Sequence, residues 1–198
     1  MEEKEVKFLG IDPKRIQEKL MKLGAKKLFD RLYRRRVFDY PDLRLDKQWA
    51  WVRVRDEGDK VTLTFKQRLG VRGHDGVTND ESMEEVEVEV SDFDKTAEIL
   101  RRIGLKEKHY IENRLIRYLF FGGVEFDLDF WPMIPPYLEI EAKSWGKIDE
   151  VIVKLGLDPR DKKIFSTYQV YALYGIDENQ YQTITFEKQV KKQIYQGK

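Results

Sequence analysis

The sequence contains no cysteine and only two histidines, His74 and His109. The lack of cysteine excludes a disulfide framework, a catalytic thiolate and any Cys-ligated zinc or iron site. A bound metal would therefore be held by carboxylates, whose hard oxygen atoms favour Mg²⁺ or Mn²⁺. We expect both histidines at solvent-exposed loop or strand-end positions rather than as metal ligands.

Long apolar runs are also missing. No stretch approaches the roughly 20 apolar residues of a membrane span, and the chain starts with Glu2-Glu3-Lys4-Glu5 rather than an apolar signal segment. These absences predict a cytoplasmic protein with no membrane partner. Net charge is nearly absent too, because 37 Lys and Arg offset 36 Asp and Glu to leave +1. A chain this close to neutral disfavours a nucleic-acid partner.

What the sequence does contain is charge in strict alternation with apolar residues. This period of two predicts strands that have one apolar face and one charged face. In one segment, Glu85, Glu87 and Glu89 alternate with three valines. The charged or polar sides of the other regular segments are Glu3, Glu5 and Lys7; Arg53 and Arg55; Thr62, Thr64 and Lys66; Glu125, Asp127 and Asp129; and Glu139, Glu141 and Lys143. Less regular alternation over 33–38 and 114–121 predicts two further strands.

Helices are predicted between these strands by a capping residue, an apolar stripe and a closing glycine. The first three start at Asp12-Pro13, at Ser91 or Asp92, and near Ser144, and end at Gly24, Gly104 and Gly156 respectively. A shorter fourth helix is predicted over 166–174. The polar segment 70–82 is expected to form one long loop.

The arrangement of like charges decides between two architectures. An antiparallel sheet ordinarily leaves its polar face in water, but like charges lying side by side reduce stability unless something neutralises them. The apolar stripes of the helices are suited to cover the apolar side of the sheet from outside. If roughly eight strands curl into a barrel with the helices outside, the charged faces point inward and the interior becomes a charged tunnel. Residues 1–175 would form this single tunnel domain, and 176–198 a C-terminal extension.

A tunnel lined by both signs of charge suits a polyphosphate. Arginine binds two phosphate oxygens at once through its planar fork, and divalent metal would balance the carboxylates that exceed the cations. The predicted phosphate-facing cations are Lys7, Arg53, Arg55, Lys66 and Arg114. The basic run Arg34-Arg35-Arg36 is expected to be a solvated strand, with a position at the tunnel mouth as the alternative.

These motifs resemble the CYTH superfamily, also called triphosphate tunnel metalloenzymes. Glu3-Lys4-Glu5-Val6-Lys7 is similar to the Glu-x-Glu-x-Lys signature of that family. The series continues with Trp51-Val-Arg-Val-Arg55, Leu63-Thr-Phe-Lys66, Glu85-Val-Glu-Val-Glu89, Arg114, Leu128-Asp129 and Leu138-Glu-Ile-Glu141. The resemblance extends over residues 1–174, and the ordered series is more specific than any one of its motifs.

The resemblance implies an α+β fold, an eight-stranded antiparallel closed β-barrel with flanking helices on the outside. It also implies that the tunnel of this barrel binds a triphosphate together with Mg²⁺ or Mn²⁺, and it implies a role for each matching residue. The phosphate ligands would be Lys7, Arg53, Arg55, Lys66 and Arg114, and the metal ligands Glu3, Glu5, Glu139 and Glu141, with Glu85 and Asp127. The catalytic residues would be Glu5, Lys66, Glu87 and Asp129. One departure is Asn113-Arg114, where many relatives carry a Lys before the Arg, so Arg117 is a candidate replacement.

We expect a metal-dependent triphosphatase that acts on inorganic triphosphate, thiamine triphosphate or a nucleoside triphosphate. A class IV adenylate cyclase stays open, because cyclisation of ATP needs the same cations and metals as hydrolysis. A non-catalytic polyphosphate-binding module and an RNA 5′-triphosphate-processing enzyme are further alternatives, although near-neutrality favours the latter little. The expected partner is a small-molecule triphosphate, and homodimer formation is left open.

Overall fold

The computed structural model describes residues 4–68 and 83–192, in which the chain forms ten β-strands and four α-helices. The strands are β1 Lys4–Phe8, β2 Lys26–Asp39, β3 Ala50–Asp56, β4 Val61–Arg68, β5 Met83–Val90, β6 Lys106–Phe120, β7 Val124–Phe130, β8 Tyr137–Ala142, β9 Tyr181–Ile184 and β10 Gln189–Lys191. The helices are α1 Pro13–Leu23, α2 Phe93–Arg102, α3 Trp145–Lys154 and α4 Thr167–Leu173. The predicted α+β class and the four predicted helices are confirmed. Glu3, His74, the rest of the predicted loop 70–82 and residues 193–198 lie outside the described residues.

The prediction of eight strands in a closed barrel is not confirmed. The hydrogen-bonded strand order is β1-β8-β7-β6-β2-β3-β4-β5, with β9 beside β6 and β10 beside β9. Within the described ranges β1 and β5 do not pair, so the sheet is open and has ten strands. The pairing is parallel between β6 and β9. It is antiparallel between β1 and β8, β8 and β7, β7 and β6, β2 and β3, β3 and β4, β4 and β5, and β9 and β10. The two additional strands come from the segment that was predicted to be an extension, whose short polar sequence carries little strand signal.

The described chain folds as two compact units. The first unit contains residues 4–31 and 113–176, and its core lies between the sheet and helices α1 and α3. Even-numbered side chains of β1, β7 and β8 point into this core, among them Val6, Phe126 and Ile140, which are fully buried. The backbone of Lys7 exchanges two hydrogen bonds with that of Lys163, at 2.7 and 2.9 Å, along the outer side of β1.

The second unit contains residues 32–68, 83–112 and 177–192. Its core joins Phe38 and Val54 of the sheet to Phe93, Ala97 and Leu100 of α2. The assignment of 1–175 to one domain and 176–198 to an extension stays a prediction.

Local sequence explains where the helices begin and end. The side chain of Asp12 accepts hydrogen bonds from the backbone N–H groups of Lys14 and Arg15 at the start of α1, and Gly24 ends this helix with a φ of +89°. Helix α4 starts with a reciprocal capping box between Ser166 and Gln169. In the described part of the chain, no helix is both long enough and apolar enough to cross a membrane.

Candidate functional site

One face of the sheet in the first unit gathers the strand carboxylates of that unit into neighbouring rows. Glu5 lies opposite Glu141, which lies opposite Glu125 on β7. Lys7 lies opposite Glu139, and Glu139 lies opposite Asp127. Since alternate residues of a strand share a face, these side chains and Asp129 all stand on the side away from the apolar core. We call this surface the carboxylate face.

Lys7 is the internal counter-ion of the carboxylate face. Its side chain is almost fully buried, and its Nζ lies 2.7 Å from Glu5 Oε1 and 2.7 Å from Glu139 Oε2. Burial by itself would lower the pKa of Lys7, but the charges of Glu139 and Glu5 outweigh it and raise the pKa above its ordinary value. Lys7 is therefore a permanent cation that holds two strands of the face together.

Arg117 is the second cation of this face. Its Nε and one terminal nitrogen donate to the two carboxylate oxygens of Asp127 at 2.7 and 2.5 Å, and its other terminal nitrogen lies 2.6 Å from Glu125. Burial raises the pKa of the Asp127 carboxyl, and the fork of Arg117 opposes this rise.

Carboxylates outnumber cations on this face. The strands carry six carboxylates, namely Glu5, Glu125, Asp127, Asp129, Glu139 and Glu141, against the two cations Lys7 and Arg117. Neighbouring like charges that are partly withdrawn from water destabilise one another. The face therefore favours additional positive charge.

Arg114, one of the predicted phosphate ligands, lies on the opposite face. It shares the even-numbered side of β6 with Ile116 and Tyr118 of the apolar core, and its guanidinium donates to both oxygens of Asp30 at 2.7 and 2.8 Å. The odd-numbered neighbours Asn113 and Arg117 are the ones that reach the carboxylate face. The pleat of the strand thus places Arg114 away from the carboxylate face and places Arg117, the candidate replacement for the missing lysine, on it.

Asp129 is held in place at the end of the carboxylate face. It is buried, and the side-chain amide of Asn113 donates to its Oδ1 at 2.9 Å. Tyr137 lies directly opposite on β8, where burial, with the charge of Asp129, raises its pKa well above the ordinary value. The tyrosine is therefore neutral beside Asp129, and the carboxylate has a fixed orientation.

The second unit presents a different charged face, which we call the arginine face. Three cross-strand rows form it, each running from β2 or β3 to β5. The rows are Arg35, Arg55, Thr62 and Glu89; Val37, Arg53, Thr64 and Glu87; and Trp51, Lys66 and Glu85. The even-numbered residues of β3, Val52 and Val54, point to the other side and contact the core under α2.

Each predicted cation of the arginine face has a carboxylate nearby, yet the pairing is loose at Arg53. Lys66 lies 2.7 Å from Glu85, whereas the contact from Arg53 to Glu87 is 3.9 Å. The hydroxyl of Thr64 donates to Glu87 at 2.8 Å. Burial of Arg53, with the neighbouring charges of Arg55 and Arg35, lowers its pKa to about 9.

The arginine face also contains buried N–H groups that lack a hydrogen-bond acceptor among the described residues. The Nε–H groups of Arg53 and Arg55 are buried and have no hydrogen-bond acceptor in the described part of the molecule. A buried donor without an acceptor costs about 1–3 kcal/mol, so an anion with several oxygens would stabilise this surface. The feature matches the predicted role of both arginines as phosphate ligands.

The fit of a divalent metal rests on donor chemistry. The carboxylate face offers only oxygen donors and has a surplus of negative charge, which suits Mg²⁺ or Mn²⁺. No three carboxylate or imidazole side chains in 4–68 and 83–192 are gathered closely enough to hold a metal ion. The predicted ligand Glu3 lies outside these ranges. Another predicted ligand, Glu85, lies on the arginine face of the second unit.

Two residues of the charged faces were not among the predicted site residues, although the alternation marked the first of them. Glu125 stands two residues before Asp127 on the same strand face and contacts Arg117. Glu57 follows β3 immediately and forms an ion pair with Arg55. The prediction for His109 was wrong, because it is buried inside β6 and its Nδ1 lies 2.9 Å from the carbonyl oxygen of Tyr181.

Comparison of the sequence with models of known protein families identifies its family. The model of the CYTH domain matches residues 1–162 of the chain. The chain belongs to the CYTH family. No curated protein sequence matches it.

Solved structures of CYTH-type proteins resemble the chain over most of its length. The PH1012 protein of Pyrococcus horikoshii OT3 is 26% identical, with a TM-score of 0.63 and coverage of 85% of this chain and 98% of its own. A candidate adenylate cyclase of Vibrio parahaemolyticus is 12% identical, with a TM-score of 0.65 and coverage of 87% and 98%. A candidate adenylyl cyclase of Hippeastrum, described as having a dominant triphosphatase activity, is 17% identical, with a TM-score of 0.61 and coverage of 88% and 96%. At 12% and 17% identity, the latter two likenesses concern the fold.

Proposed function

We propose that this CYTH protein is a divalent-metal-dependent triphosphatase. The observation that carries the proposal is the arginine face, where the buried Nε–H groups of Arg53 and Arg55 lack acceptors. A phosphate chain supplies several oxygen acceptors and the negative charge that compensates clustered guanidinium groups. Lys66 adds a third cation on the same face.

The carboxylate face offers the oxygen donors that a divalent metal requires. Glu5, Glu139 and Glu141, with Asp127 and the predicted ligand Glu3, would hold Mg²⁺ or Mn²⁺. In phosphoryl transfer, a divalent metal neutralises charge on phosphate oxygens and makes the phosphorus more electrophilic. Lys7 ties Glu5 to Glu139, and Arg117 orients Asp127, so these two cations position the carboxylates. We retain Glu87 and Asp129 as candidate catalytic carboxylates, each already held by a hydrogen bond.

Hydrolysis is the conclusion that fits these residues most simply. Water as the nucleophile requires only a charged site for the phosphate chain, whereas a cyclase must also bind and orient a ribose hydroxyl. The cations of the arginine face, and its donors without an acceptor in the described chain, suit phosphate groups. The related Hippeastrum protein, whose described activity is predominantly that of a triphosphatase, is consistent with hydrolysis within this fold.

The test is to incubate the purified chain with Mg²⁺ or Mn²⁺ and, separately, tripolyphosphate, thiamine triphosphate and ATP. We expect orthophosphate release, measured colorimetrically, and no cyclic AMP by chromatography. Lys66→Ala and Glu5→Gln should each lower kcat about 100-fold, as expected when a group that stabilises developing charge is lost. Lys106→Ala and Glu18→Gln change the same charges at exposed positions and should leave the rate unchanged.

Three outcomes would contradict the proposal. Cyclic AMP and pyrophosphate as products from ATP would identify a cyclase instead. Binding of tripolyphosphate without any turnover would identify a binding module. Full activity in both Lys66→Ala and Glu5→Gln would show that neither charged face takes part.

A further inference from the structure

The basic run on β2 divides between the two faces of the sheet. Arg34 lies 2.5 Å from Asp56, and Arg36 lies 2.9 Å from Glu107. Both guanidinium groups also lie over the ring of Phe93 in α2. Arg35 points to the opposite side because side chains alternate along a strand, and it lies directly across from Arg55 of β3. One residue of the three therefore belongs to the arginine face.

Arg35 extends the pair Arg53 and Arg55 into a cluster of three guanidinium groups. Directly opposed residues of antiparallel strands have Cβ atoms about 5 Å apart, so Arg35 and Arg55 are neighbours of like charge. The effect reaches Arg53, whose pKa is lowered by burial and then by the charges of Arg55 and Arg35. Such a cluster is costly without an anion beside it, and the acceptor-free Nε–H groups of Arg53 and Arg55 lie within it.

Glu178, a carboxylate of the C-terminal segment, is within electrostatic range of Arg35. Glu178 starts the short 3₁₀ turn Glu178–Gln180, just before β9. Its position is fixed on both sides: Asp177 accepts the N–H of Asn179 at 3.0 Å, and the carbonyl of Gln180 accepts the N–H of Lys192 at 2.7 Å. Strand β9 pairs with β6, which keeps the turn in the second unit.

The charge of Glu178 responds to its surroundings. The side chain is half-buried, and burial raises its pKa to about 6, against the opposing charge of Arg35 from β2 and with a small addition from Asp177 of its own turn. Glu178 is therefore largely ionised at neutral pH, where its charge attracts that of Arg35. Near pH 6 it becomes neutral in part.

We propose that Arg35 is a further phosphate-binding residue of the arginine face and that Glu178 is its internal counter-ion, which an incoming phosphate displaces. The inference rests on the proposed function, because it assigns Arg35 to the same phosphate chain as Arg53 and Arg55. A third planar fork adds two donors for phosphate oxygens. Glu178 works in the opposite direction: it neutralises the cluster when no phosphate is bound and so weakens binding.

The test is calorimetric titration of the full chain with tripolyphosphate at pH 7.5. Arg35→Gln should weaken binding about tenfold, the loss expected for one charge-assisted pair, and Arg35→Lys should fall between it and the wild type. Glu178→Gln should tighten binding several-fold. The matched controls are Arg34→Gln, on the other face of the same strand, and the exposed Glu187→Gln of the same terminal segment, and both should bind like the wild type.

The pH dependence separates a counter-ion from a merely structural residue. The affinity ratio of Glu178→Gln to wild type should approach one as the pH falls from 7.5 to 5, since the wild-type carboxylate becomes protonated; the titration of the phosphate itself cancels in this ratio. A constant ratio overturns the role of Glu178. Unchanged binding in Arg35→Gln, with wild-type binding intact and the fold verified by circular dichroism, overturns the role of Arg35. No binding by the wild type would overturn the proposed function as well.

Discussion

At the scale of single residues, the direction of a side chain decides which arginines can serve a charged face. Arg114 and Arg117 are three positions apart on β6, so the pleat sends them to opposite sides of the sheet. Arg117 contacts Asp127 and Glu125, whereas Arg114 contacts Asp30 beside the apolar core. Arg114 and Arg117 carry the same charge and lie close together in the sequence, yet they contact different faces of the sheet.

Paired substitutions test this difference. Arg117→Gln removes the cation that orients Asp127, so triphosphate hydrolysis should fall about 10- to 100-fold. Arg114→Gln removes a partly exposed ion pair, and its effect on kcat should be less than twofold, with less than about 1 kcal/mol lost in the free energy of unfolding. Phosphate-release kinetics and urea denaturation measure both quantities. A larger kinetic loss in Arg114→Gln would contradict the assignment by strand face.

The sequence predicts these residues unevenly, and the reason is physical. Period-two alternation identified Glu5, Lys7, Arg53, Arg55 and Lys66 as members of charged faces because their strands alternate cleanly. Over 114–121 the alternation is weak, since Leu115 and Leu119 share a side with Arg117. The sequence therefore assigned Arg114 to the wrong face of the sheet. The partners Glu57 and Glu178 follow from tertiary contacts, which no local period records.

At the scale of elements, the pairing of β6 with β9 fixes the C-terminal segment to the sheet of the second unit. Its parallel register joins Tyr110 to Thr183 and Ile111 to Ile184, and Ile184 is fully buried. His109 secures the start of this pairing through the carbonyl of Tyr181. Strands β9 and β10 are short and lack a clean alternation of polar and apolar residues, so the sequence did not predict them and only the structure shows them.

The buried histidine makes this pairing sensitive to acid. Burial, with the charge of Lys192, lowers the pKa of His109 to about 4, although the carbonyl of Tyr181 opposes the shift. The unfolded chain, with a histidine pKa near 6.5, binds the proton more readily than the folded chain, so stability falls as the pH drops from about 6.5 toward 4. This residue should account for about 2 kcal/mol of lost stability between pH 7 and pH 5.

Urea denaturation at the two pH values measures the loss, with His109→Gln as the comparison. Glutamine can donate to the same carbonyl but does not titrate, so the variant should lose about 2 kcal/mol less than the wild type over this interval. Equal losses in the two proteins would show that His109 does not couple folding to protonation.

At the scale of the whole molecule, a net charge near zero coexists with one face rich in carboxylates and another rich in arginines. The carboxylate face of the first unit has a surplus of acidic groups, and the arginine face of the second unit gathers Arg35, Arg53 and Arg55. The total of +1 is the sum over all such surfaces. Net charge therefore reports on long-range attraction, while affinity for a phosphate chain depends on the local cluster.

This distinction predicts selectivity among polyanions. A long duplex DNA binds through many phosphate contacts and released counterions, which a protein of net charge +1 does not offer. At about 150 mM salt, where surface charges are screened beyond about 8 Å, we expect tripolyphosphate to raise the melting temperature and a 20-base-pair duplex to leave it unchanged. Thermal denaturation with each ligand at equal phosphate concentration makes the comparison. An equal rise with DNA would contradict a local phosphate site.

The glutamates of β5 also bear on the behaviour of the chain at high concentration. Val86 and Val88 are more than half exposed, on a strand that ends the described strand order. Alternating β-branched residues at a sheet edge readily recruit further strands and favour fibrillar aggregates. Glu85, Glu87 and Glu89 set like charges against each other whenever two such edges approach. Their repulsion opposes self-association of the protein. Substitutions that neutralise these glutamates in order to test activity should therefore also make the protein more prone to aggregate.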